Sequence, residues 1–135
     1  MVAGIIKKWD KNKDKLRQWF SCNKQKMYDE YYKIVDAICR NVLELKDYSI
    51  TEVGHDNYQG VAVFIIKMNY GSYLGDYLIT NTYYGSCSGC DTLMYINGSL
   101  LDNENLPTDN QLEQYMTLAL HLVQKMQTLV DDEED

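Results

Sequence analysis

Among 135 residues there is one proline, Pro107, and no apolar run of about 18 residues long enough to span a bilayer. The start from Met1 to Ile6 is followed at once by Lys7 and Lys8, too early for the apolar core of an export signal. A soluble, cytoplasmic protein without a membrane partner is therefore expected. Cysteine is sparse: Cys22, Cys39, Cys87 and Cys90 stand at irregular spacing, which fits reduced thiols or a partial metal site better than a disulfide framework. Phenylalanine occurs only twice, whereas tyrosine occurs 12 times. Basic residues thin out after the start. Up to Lys33 there are nine Lys or Arg against four acids, and from Ile34 onward four against sixteen. An acidic body with net charge −7 repels phosphates at long range, which disfavours direct nucleic-acid binding and favours basic proteins or basic clefts as partners.

Apolar residues make up 45% of the chain, enough for one ordinary domain, expected over residues 1–130 with an acidic tail at 131–135. Ile5, Trp9, Leu16, Trp19 and Phe20 recur at helical spacing and predict a helix from Val2 to Phe20 with a lysine-rich outer face. After the interruption at Ser21-Cys22-Asn23, a second stripe predicts a helix as far as Leu45 through Met27, Tyr28, Tyr31, Ile34, Val35, Ile38 and Val42. The period then changes to two. Tyr48 to Val53 reads as a short strand, Tyr58 to Met68 as a longer one and Asp76 to Tyr84 as a third. The run Val61-Ala62-Val63-Phe64-Ile65-Ile66 is apolar on both faces, so it should be the central strand, covered on two sides or on one side plus a partner. The loop from Asn69 to Gly75 exposes Tyr70 and Tyr73, which are expected partner-binding residues together with Asp131, Asp132, Glu133 and Glu134 of the tail. Thr108 and Gln111 form a capping box opening a last helix, whose stripe runs from Leu112 through Tyr115, Met116, Ala119, Leu122 and Met126 to Leu129.

The one concentrated motif is Tyr84-Gly85-Ser86-Cys87-Ser88-Gly89-Cys90-Asp91, read as a tight junction between the third strand and a short helix of about Gly89 to Ile96. Ser88 and Asp91 are spaced to cap that helix, and its N-terminus would favour a thiolate. Cys87 and Cys90 have the gap that lets two thiolates share a zinc ion, with Cys22, Cys39, His55 or His121 as the only completing ligands. The Gly/Ser turn could instead cradle a nucleotide phosphate, although no Lys or Arg follows it as in a P-loop. Each chemistry lacks a partner at defined spacing, as does His55 beside Asp56. The expectation is a structural junction, with no cofactor and no catalytic residue.

The run from Asp76 to Asp91, with the octet at its centre and Asn57-Tyr58-Gln59-Gly60 before the central strand, resembles small proteins of bacteriophages and other viruses. The resemblance covers about the middle third of the chain and implies an origin. By analogy with counter-defence proteins such as anti-CRISPRs, it implies a non-enzymatic inhibitor of a host protein, one that itself binds nucleic acid or serves in defence. The alternative is a zinc- or nucleotide-binding module centred on the Gly/Cys turn. The fold expected is a single α+β domain in the order ααβββαα, a three-stranded antiparallel sheet packed by helices.

Overall fold

The computed structural model describes residues 3–23, 31–54, 60–69, 76–84, 92–97 and 107–129. Helix α1 spans Ala3–Cys22, and α2 spans Tyr31–Ala37 and runs on as a π-helical turn over Ile38–Val42. Strands β1 (Tyr48–Val53), β2 (Gly60–Met68) and β3 (Tyr77–Tyr84) follow, then α3 (Thr92–Asn97), α4 (Asp109–Lys125) and a short β4 (Gln127–Leu129). The α+β class is as expected. The sheet, however, has four antiparallel strands in the order β1-β2-β3-β4, and the element order is ααβββααβ.

β2 is central in the expected sense. Its register sets Ile50 opposite Ile66 on one side, and Phe64 opposite Thr80 and Ile66 opposite Leu78 on the other. Alternation then sends Ala62, Phe64, Ile66 and Met68 into the core, with Leu78, Thr80 and Thr82 of β3 on the same face. α4 lies against this inner face and α1 crosses both α4 and the π-helical turn. Phe20 of α1 stacks on the fully buried Tyr115 of α4 at 5.0 Å between centroids, with Trp19 edge-on to Phe20.

α1 buries Ile5, Trp9, Leu16 and Phe20 as the stripe requires, and between them Asn12, 1% exposed. Its amide Nδ2 donates to the Val42 carbonyl at 2.8 Å, whereas Oδ1 has no partner among the described residues. A carbonyl at the end of the second helical segment is thereby satisfied from the first. The lysine-rich face is partly engaged within the chain: Lys8 pairs with Glu44 at 2.7 Å and Arg17 with Glu113 at 2.7 Å.

From Tyr31 the second helical stripe is buried through Leu45, with Met27 and Tyr28 outside the described residues, yet it is not one α-helix. After Ala37 the backbone under-winds, and Leu43 donates to Ile38 O at 3.0 Å and Leu45 to Cys39 O at 2.9 Å. Ile38, Cys39, Val42 and Leu43 are all fully buried, and the wider turn draws this crowded apolar set toward the core. Glu44 ends it in the left-handed region, φ 59°, a position more often given to glycine.

The last helix begins where expected. Gln111 N–H donates to Thr108 Oγ1 at 3.1 Å and Thr108 N–H to Gln111 Oε1 at 3.0 Å. It stops at Lys125, four residues before its apolar stripe does, because Met126 turns extended and Gln127–Leu129 pair with Tyr77–Ile79. The open edge of β3 offers three residues a ladder that a fraying helix end cannot match.

Candidate interaction surface

One face of the sheet carries the helices; the other carries none among the described residues. Alternation places Val61, Val63, Ile65 and Lys67 of β2 on this outer face. In register beside them lie Ser49, Thr51 and Val53 of β1, Tyr77, Ile79, Asn81 and Tyr83 of β3, and Gln127 of β4. Successive rows across the sheet are Val61–Tyr83, then Val53–Val63–Asn81, then Thr51–Ile65–Ile79–Gln127. Tyr83 is 70% exposed, Val53 49% and Val61 41%, and Val63, Ile65, Tyr77 and Ile79 are half-buried.

An antiparallel sheet with one wet face ordinarily alternates apolar-in and polar-out. β2 breaks that rule at Val61, Val63 and Ile65. With strands about 4.8 Å apart and about 3.3 Å per residue, the three rows span roughly 13 by 14 Å, about 180 Å², with Thr51, Asn81 and Gln127 as polar members. An area of that size is ordinary for a monomer. Charge sets it apart. In a chain of net charge −7, no carboxylate stands on these strand positions, and Lys67 is their single charge. Glu52 has the opposite parity and lies on the helix side. The face therefore costs little to desolvate, and a carboxylate on a partner would meet Lys67 without repulsion.

Among the described residues, Asp36, Cys39, Arg40 and Tyr48 are engaged in structure. Tyr48 Oη donates to Asp36 Oδ1 at 2.6 Å while Arg40 donates to Asp36 Oδ2 at 2.7 Å, tying the π-helical turn to β1. Burial, then the hydrogen bond to Asp36, pushes the Tyr48 phenol above its usual range. Burial, followed by the charge of Asp36, pushes the Cys39 thiol up, which disfavours the thiolate needed for metal binding or nucleophilic attack. Cys22 is exposed. Among the described residues no group of three or more His, Cys, Asp or Glu could hold a metal ion.

The residues singled out from the sequence fall mainly elsewhere. Tyr84 closes β3, while Gly85, Ser86, Cys87, Ser88, Gly89, Cys90 and Asp91 lie outside the described residues, as do Tyr70, Tyr73, Asp131, Asp132, Glu133, Glu134, His55 and Asp56. The short helix expected from about Gly89 to Ile96 is described as α3 from Thr92, while its expected caps Ser88 and Asp91 lie outside the described residues. Its Leu93 N–H, one of the orphan donors of the first turn, is accepted by the buried Tyr31 hydroxyl at 3.1 Å, a tie from α2 that no local spacing signalled. At its other end, Ile96 O accepts from Gln111 Nε2 at 3.4 Å. The outer face had a signal in the two-sided apolar run of β2, which allowed cover on one side plus a partner.

No protein-family model, curated protein or solved structure matches the chain. No helix among the described residues is long and apolar enough to cross a membrane.

Proposed function

We propose that the chain is a non-enzymatic protein-binding module whose contact surface is the outer face of its sheet. The observation that carries this reading is a largely apolar, tyrosine-flanked sheet face with no carboxylate among its described strand positions, on an otherwise acidic protein. A rigid four-stranded sheet presents such side chains at little entropic cost, and an exposed tyrosine makes an effective anchor. The partner that fits is a protein with a flat apolar patch and an acidic residue placed to meet Lys67. The likeness of the octet to viral proteins points to a host defence or regulatory protein as that partner, which makes the module an inhibitor in the host cytoplasm.

The test is affinity capture from a bacterial lysate, followed by calorimetry with the purified partner. The native chain is compared with a Val53→Lys/Val61→Lys variant, both exposed positions of the face, and with a Lys7→Glu control on the exposed side of α1. Both variants should keep the native unfolding midpoint within a few degrees, since they alter solvent-facing positions. Loss of about 2 kcal/mol or more on the face variant alone, in the range of an interface hot spot, is expected. Equal affinity for the native chain and the face variant would refute the assignment.

A further inference from the structure

The sheet has a second unsatisfied feature, at its β3 edge. β3 runs eight residues, yet β4 pairs only with Tyr77, Leu78 and Ile79. Beyond Ile79 no strand covers β3 among the described residues. The parity of the backbone follows from two hydrogen bonds. Met68 N–H donates to Asp76 O on the β2 side, so the even-numbered residues of β3 direct their polar groups inward to β2. Asn81 and Tyr83 direct theirs to the open edge, and from that edge Lys125 Nζ donates to Asn81 O at 3.0 Å. Thr82 Oγ1 reaches Tyr83 O only at 3.4 Å, a weak hold on that acceptor.

A cleft of about 400 Å³ opens beside these groups. One wall is a single stripe of α4, from Gln114 through Thr117, Leu118 and His121 to Lys125; Thr92 and Ile96 of α3 also line it. From Gln114 to Lys125 the helix advances about 16 Å at 1.5 Å per residue, the reach of about five extended residues. The described lining is apolar at Ile96, Leu118 and Leu122, polar at the threonines and cationic at Lys125, with no acid in it.

We propose that this cleft takes an extended acidic peptide segment of a partner protein, which adds to β3 as a strand at Asn81 and Tyr83 with a carboxylate on Lys125. Main-chain pairing to Asn81 and Tyr83 supplies sequence-independent affinity, and side chains of one parity face the exposed Thr92 and Thr117 of the lining. The Lys125 ammonium, otherwise on a neutral carbonyl, gains a charge-assisted bond. The chain's own continuation is a poor occupant: β4 runs Gln127 to Leu129 against Ile79 to Tyr77, heading away from Tyr83. The site adjoins the outer face at Asn81 and Tyr83 but uses their backbone groups at the sheet edge, so neither proposal needs the other.

Fluorescence polarisation on the full chain tests it with labelled hexapeptides of alternating valine and glutamate, of alternating valine and lysine, and of the glutamate sequence N-methylated at alternate amides. The glutamate peptide should bind at least about tenfold more tightly than either of the others, and Lys125→Glu should remove that preference without changing the circular dichroism spectrum. Amide resonances of Asn81 and Tyr83 should shift on titration. Absence of saturable binding by the glutamate peptide, or binding indifferent to N-methylation, overturns the proposal. A further variant turns Asp131, Asp132, Glu133, Glu134 and Asp135 into their amides and should bind the peptide as the native chain does. A gain of about tenfold there would identify the acidic tail as the occupant and overturn the assignment to a partner.

Discussion

Replacing Thr80 by valine isolates one hydrogen bond that joins sheet to helix. Thr80 is fully buried on the inner face of β3, and its hydroxyl donates to Leu122 O at 2.7 Å. Leu122 belongs to the last turn of α4, whose carbonyls lack the usual i+4 donors, and Met126 N–H goes to Val123 O instead. Valine has nearly the same shape, so packing is kept while a buried acceptor is stranded, at a cost of about 1–3 kcal/mol. With an unfolding entropy of about 2.1 cal/mol/K per residue, 135 residues give about 0.28 kcal/mol/K, and a loss of about 1.5 kcal/mol lowers Tm by about 5 °C. In urea, with a slope of about 2 kcal/mol/M, the midpoint should fall by about 0.7 M at unchanged slope. Thr82→Val is the internal control. Thr82 lies two residues along on the same face, 5% exposed, but its hydroxyl reaches only the Tyr83 carbonyl at 3.4 Å, so the substitution should change stability by less than about 0.5 kcal/mol. Equal shifts for the two variants, or no shift for Thr80→Val, would refute the reasoning.

Two further outcomes follow from backbone geometry and charge. Gly54→Ala should cost at least about 2 kcal/mol in urea unfolding, because its φ of +92° is unfavourable for any side chain and a Cβ would stand 2.5 Å from the Val61 carbonyl oxygen, a backbone atom that cannot swing away. Glu44 is held below the usual carboxylate range first by the hydrogen bond from Lys8 and then by the charges of Lys8, Lys11 and Lys15. A depressed folded-state pKa contributes stability above the unfolded value of about 4.3 and loses it as pH falls through the folded value. The native chain should therefore exceed Glu44→Gln in stability at pH 6, and the gap should close below about pH 4 and narrow in high salt; a gap that is constant from pH 7 to pH 3 would contradict this.

Much of the fold could be read from local pattern. The period-3.6 stripe of α1, the Thr108–Gln111 capping box and the change to period two at Tyr48 each act over a few residues, and each has its counterpart in the structure. Three features could not be read that way. Gln127–Leu129 continues the apolar stripe of α4, and only the nearby open edge of β3 converts it to a strand. The π-helical turn depends on four crowded apolar residues meeting α1, and the buried Asn12 looked like a gap in a stripe until Val42 O was placed against it. The candidate site was legible only in outline: the octet and the tyrosine loop drew attention by composition, whereas the outer face needs the register of four strands to be assembled.

By itself the sequence determined the α+β class, the central position of β2 and the acidic character of the body, because periodicity and charge are properties of neighbouring residues. Tertiary structure alone decided which face of β2 the helices would take and, among the described residues, that the strand positions left outside would carry no carboxylate and that β3 would outrun β4 by five residues. Those are outcomes of contacts between residues tens of positions apart, where a backbone group is satisfied or a side chain covered only by what the rest of the fold brings to it.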